Sequence, residues 1–111
     1  MVRLTASFAW PLLAASIVAE VAGNAALRHA DGFARPAPTL GALACYGLAI
    51  WLMSLSLRHL AVGLAYAVWA GAGTALTAAI GMLWWNEPAA PLRFAGIAFI
   101  VAGVAALNVE V

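Results

Sequence analysis

Glu20 sits in the middle of SIVAEVAGNAALR, residues 16–28, a run with no other charge before Arg28. On a helix, Ser16, Glu20 and Asn24 fall at i, i+4 and i+8 and form one polar stripe with Gly23 beside it. A carboxylate there can hydrogen-bond a neighbouring helix, exchange a proton, or balance the charge of a cation. An amide or hydroxyl would serve the first purpose at lower cost, because an ionisable group at membrane depth is expensive. All five basic residues are arginines flanking apolar runs, so Glu20 has no internal ion-pair partner. Loss of water disfavours its ionised form. It is therefore expected to exchange a proton at physiological pH and, once ionised, to want a cation from outside. Proton and cation then compete for one site.

Further side chains suit such a cation. Tyr46, and Tyr66 with Trp69 at i and i+3, present aromatic faces of the kind that hold quaternary and aromatic cations. The same rings also serve as packing or interfacial anchors. Trp84 and Trp85 are assigned to the interfacial belt and Trp51 to lipid-facing packing. After Trp69 comes AGAG, with Gly71 and Gly73 in mid-helix, where glycine permits either close helix contact or a bend. No catalytic constellation accompanies these residues, and no metal site or cofactor is expected. His29 and His59 stand at helix ends without ligand or nucleophile spacing. The lone Cys45 excludes an intramolecular disulfide and a cysteine metal cage.

The elements that position these groups follow from composition. Of 111 residues, 67% are hydrophobic and 8% charged, with a mean hydropathy of +1.03. Soluble domains are about 45–50% apolar and about 25% charged, so this chain has too few polar residues to cover a water-facing surface. It reads as an all-α integral membrane protein in one four-helix domain over residues 1–111. Apolar stretches of bilayer length run over about 9–27, 39–57, 61–85 and 92–109. Gly32, Pro36 and Pro38 end the first and begin the second, Arg58 and His59 mark a short turn, and Pro88 and Pro91 bracket the last start. Connections this short make neighbouring helices antiparallel.

The first segment resembles a signal peptide in having Arg3 ahead of an apolar run. Its length and Glu20 argue that it stays as a span. Arg3 and Arg58 lie on one side of the membrane, and Arg28, Arg35 and Arg93 on the other. With the N-terminal amine the two sides nearly balance, so positive-inside bias is almost nil and insertion in both orientations is expected, as is orientation set by one flanking arginine. No basic cluster interleaved with aromatics points to nucleic acid. On helix four, Ala98, Ala102 and Ala105 form a small-residue stripe suited to close helix crossing. Four short helices enclose no chamber for an aromatic cation, so a dimer with facing Glu20 stripes is expected.

AEVAGNAALRHADGFAR in the first helix and loop, CYGLAIWL in the second, GLAYAVWAGAG in the third and GIAFIVAGVAALN in the fourth together resemble the small multidrug resistance family of proton-coupled exporters. The likeness covers about residues 11–108. It implies an antiparallel, dual-topology dimer in the cell inner membrane, in which two copies of Glu20 form a shared site for protons and cationic substrates. It also implies that Tyr46, Tyr66 and Trp69 line the substrate chamber, with Ser16, Gly23 and Asn24 on the stripe nearby. Gly71 and Gly73 match the helix-three kink. Residues 96–104, with Gly96 and Gly103, match the helix-four dimerisation segment, beside Ala98, Ala102 and Ala105.

Gly23, Tyr46 and Ala70 resemble the branch that exports quaternary ammonium and other lipophilic drugs, rather than the guanidinium branch. Asn24, Arg28 and Ala61 depart from that branch's common threonine, lysine and proline. Asn24 and the ADGF loop are also similar to one partner of the paired polyamine exporters. The expectations are therefore export of quaternary ammonium by a homodimer, with spermidine export by a heterodimer with a related chain, or guanidinium export, as alternatives. A non-transporting membrane subunit is the reading that would leave Glu20 replaceable by Gln.

Overall fold

Helix α1 (Ala9–His29) is followed by α2 (Pro36–Ser56), α3 (Val62–Trp84) and α4 (Pro91–Val109). The computed structural model describes residues 8–109, with side chains to Leu107, and contains no strand among them. Arg3, counted above among the flanking charges, lies outside the described residues.

The boundaries follow local chemistry. α2 starts at Pro36, earlier than the expected Thr39, because a proline at the first helical position loses no hydrogen bond that a helix start would make. α1 continues to His29, beyond the expected Leu27. Asp31, Gly32 and Phe33 then take left-handed backbone angles (φ 52°, 63° and 70°) and reverse the chain. The Arg35 N–H closes this loop on the Ala30 carbonyl at 3.0 Å.

α1 packs against both α2 and α3, and α3 carries α4. Small residues bring α1 and α2 together: Ala19, Ala42 and Ala49 are buried, and close approach of this kind drives helix association in lipid. Toward α3, Leu13, Ile17 and Val21 meet Ala65, with Val68, Trp69 and Ala72 packed around them. The outside carries large apolar side chains such as Ile50, Leu83 and Phe99, as a lipid-facing surface requires. α1, α2 and α3 are each long and apolar enough to cross a bilayer, while the apolar stretch of α4 over Pro91–Leu107 is shorter. At 1.5 Å per residue all of α4 reaches about 28 Å, close to the roughly 30 Å of a hydrocarbon core.

The single chain is a slab of 42 × 36 × 17 Å. Its radius of gyration, 15.4 Å, exceeds the roughly 13 Å of a compact domain of this length. One copy leaves a broad face for lipid or another chain.

Candidate functional site

Glu20 projects from α1 toward α3 and rests against Gly73. A Cβ at position 73 would collide with its carboxylate oxygen Oε1. Only glycine lets the carboxylate lie this close to the α3 backbone. Around it is a cavity of about 420 Å³ that Asn24, Trp69, Ala70, Gly73, Thr74 and Thr77 also line. The only ion pair among the described residues joins Arg93 to Glu87, so Glu20 has none.

One turn along α1, Asn24 ties three helices together. The Tyr46 hydroxyl of α2 donates to Asn24 Oδ1 at 2.6 Å, and Asn24 Nδ2 donates to Thr77 Oγ1 of α3 at 3.0 Å. Gly23 makes this possible, because a Cβ there would stand 2.7 Å from Tyr46 Cε1. The phenol ring therefore sits against the α1 backbone at Gly23, and its hydroxyl reaches the amide one turn from Glu20.

Trp69 lines the same cavity, and its indole Nε1 is buried with no acceptor. Tyr66 packs beside it, the rings tilted by 36° with centroids 5.9 Å apart. Tyr66 is exposed and is not among the residues lining the cavity. Ser16 points elsewhere too: it is fully buried and donates to the Ala49 carbonyl of α2 at 2.7 Å.

The two mid-helix glycines of α3 sit at close approaches on different sides. Gly73 receives Glu20, while a Cβ on Gly71 would stand 2.7 Å from Val104 Cγ2 and 3.2 Å from Ile100 Cγ2 of α4. α3 is continuous through both. Gly96 and Gly103 have open space where a side chain would go. Ala98, Ala102 and Ala105, on roughly the opposite side of α4, are exposed as well, so the alanine stripe is uncovered in one chain.

Several lining residues were not anticipated. Thr74 and Thr77 follow Ala70 and Gly73 at helical spacing, a polar pattern on α3 that would have found them. Trp85, assigned above to the interface, turns into the cavity wall. Arg28 Cζ lies 4.8 Å from the centre of its ring, a cation–π contact that holds it inward. Trp84 remains on the surface.

At the loop end stand Glu87 and Arg93. Left-handed Asn86 (φ 54°) turns the chain back, and the Glu87 N–H donates to the Gly81 carbonyl at 3.1 Å. The Glu87 side chain rests on Gly81, where a Cβ would collide with it. Arg93 Nη2 lies 3.1 Å from Glu87 Oε1, and Arg93 Nη1 donates to the Pro88 carbonyl at 2.9 Å. One arginine thus reaches the chamber, already paired with another carboxylate. No group of three or more potential metal ligands occurs among the described residues.

Comparison with known proteins places the chain in a family. The family profile described as Small Multidrug Resistance protein matches residues 8–100. The chain is 44% identical to the multidrug resistance protein EbrA of Bacillus licheniformis over 95 residues, covering 86% of this chain and 90% of that protein. It is 44% identical to the quaternary ammonium compound-resistance protein QacF of Klebsiella aerogenes, covering 89% and 90%. Identity to the nicotine metabolites export pump subunit NepA of Paenarthrobacter nicotinovorans is 41%, covering 91% and 87%.

Proposed function

The chain belongs to the small multidrug resistance family, and on that premise we propose that it is a proton-coupled antiporter exporting lipophilic or quaternary ammonium cations across the inner membrane. The observation that carries this reading is Glu20: a carboxylate at membrane depth, without an ion-pair partner, in a cavity walled by Trp69. Either a proton neutralises it or a cation balances it. Mutually exclusive occupancy, combined with access from one side at a time, gives exchange of the two. Trp69 offers its face to the apolar or aromatic body of the cation, and Tyr46 is held near by Asn24.

The working unit is an antiparallel dimer of this chain, with two Glu20 carboxylates sharing the chamber and the exposed small-residue face of α4 at the contact. The flat single chain and the uncovered stripe support it. Close-packed small residues are what holds helices together in lipid.

Purified protein reconstituted alone in liposomes with a pH gradient should transport tetraphenylphosphonium or an aromatic quaternary ammonium, faster than guanidinium or spermidine. Transport of spermidine only after addition of a second, related chain would instead identify half of a polyamine exporter. A preference for guanidinium would move the chain to that branch.

Topology is separately testable. Among the described residues Arg58 opposes Arg28, Arg35 and Arg93, and with Arg3 and the N-terminal amine the balance is near even. Reporter tags on the C-terminus should register on both sides of the membrane in one cell population, and two lysines added at one end should drive all copies one way. A single orientation of the unmodified chain with transport intact would exclude an antiparallel homodimer.

A further inference from the structure

On α3, Gly73, Thr77 and Gly81 follow each other at i, i+4 and i+8, and the first two line the cavity. A carboxylate rests on the glycine at each end: Glu20 on Gly73, Glu87 on Gly81. Thr77 between them accepts from Asn24. The two seats are about 12 Å apart along the helix axis. Both carboxylates line the same 420 Å³ space.

They differ in their partners. Glu87 holds Arg93, and Glu20 holds no cation. Arg93 lies in the first turn of α4, where the helix dipole disfavours positive charge. The two side chains are 38% and 34% exposed, and ion pairs this open are marginal in strength. An incoming ammonium group can therefore replace the guanidinium, leaving Arg93 its bond to the Pro88 carbonyl.

We propose that Glu87 is a second cation-contacting carboxylate at the loop end of the chamber, occupied by Arg93 until an ammonium group of the substrate displaces it. This rests on the reading of Glu20 as the cation site and extends it. The consequence is selectivity: a molecule with two ammonium groups spaced to reach both seats engages both carboxylates, and a singly charged one engages only Glu20.

Calorimetric titration of the full-length protein in detergent with octamethonium, a bis-quaternary ammonium, and octyltrimethylammonium, its singly charged counterpart, tests it. The unmodified protein should bind octamethonium more tightly. Glu87→Gln should weaken octamethonium about tenfold, the loss of one close charge–charge contact to a head that has no N–H to donate, and leave octyltrimethylammonium within about twofold. Arg93→Gln, which frees the carboxylate, should strengthen octamethonium. Equal changes for the two compounds in Glu87→Gln, no change for either, or weakened octamethonium binding in Arg93→Gln would each overturn the proposal and make the ion pair a loop clasp. If the unmodified protein binds neither compound, the reading of Glu20 fails and this one with it. If it binds both and Glu87→Gln is indifferent, only the second carboxylate is lost.

Discussion

Glu20→Gln protein, titrated with a quaternary ammonium in weak buffer, is expected to release no protons and to bind the cation about 100-fold more weakly or worse. The magnitude follows from truncating one member of a desolvated charge pair, typically 2–5 kcal/mol. Gln keeps the shape of the side chain against Gly73, so the helix contact survives while the charge is removed. On the proposed reading, a cation binds the ionised carboxylate of the unmodified protein and so expels the proton that occupied it. Apparent cation affinity should fall as pH is lowered, because protons then win the site. The Gln variant should lose that pH dependence. Glu20→Asp should keep binding with its pH dependence moved, since the shorter side chain withdraws the charge from its seat. Proton release from Glu20→Gln equal to that of the unmodified chain would make the carboxylate a structural group.

Glu20 was legible from sequence because a charge inside an apolar span is costly wherever it points. The apolar runs gave four helices for the same reason. Finer placement was less legible, and Ser16 shows why. Positions i, i+4 and i+8 advance about 40° per step at 100° per residue, so the stripe from Ser16 to Asn24 turns through about 80°. Ser16 and Gly23 share the side that meets α2, where Ser16 bonds to the Ala49 carbonyl and Gly23 accepts the Tyr46 ring. Glu20 is turned toward α3. The partnership of Asn24 with Tyr46 and Thr77 joins residues 22 and 53 positions away, which no local period encodes. The place of Glu87 and Arg93 in the chamber depends on left-handed Asn86 and the open seat on Gly81. Neither leaves a trace in hydropathy.

The Gly71 and Gly73 pair left two readings open from sequence, a bend or a close contact, and Gly73→Ala separates them. In a helix interior this exchange ordinarily stabilises by about 1 kcal/mol, because alanine loses less backbone freedom than glycine. Here the new methyl would occupy the place of the Glu20 carboxylate. The flexible end of Glu20 can swing away, so the fold should survive with unchanged or slightly raised thermal stability. The site should not: with the carboxylate off its seat, equilibrium cation affinity is expected to fall about tenfold, the cost of one misplaced charge-assisted contact. A glycine needed only as a bend would give the opposite pattern, slower transport with equilibrium binding unchanged. Gly63→Ala is the control, since no atom lies within 4 Å of its added Cβ, and it should alter neither quantity. Gly71→Ala presses on Val104 and Ile100 of α4 instead, so it should disturb the packing of α4 while leaving cation affinity closer to that of the unmodified protein. If Gly73→Ala binds cations as tightly as the unmodified protein, the contact between Glu20 and α3 has no part in holding the charge, and the function of Gly73 lies in the motion of the helix.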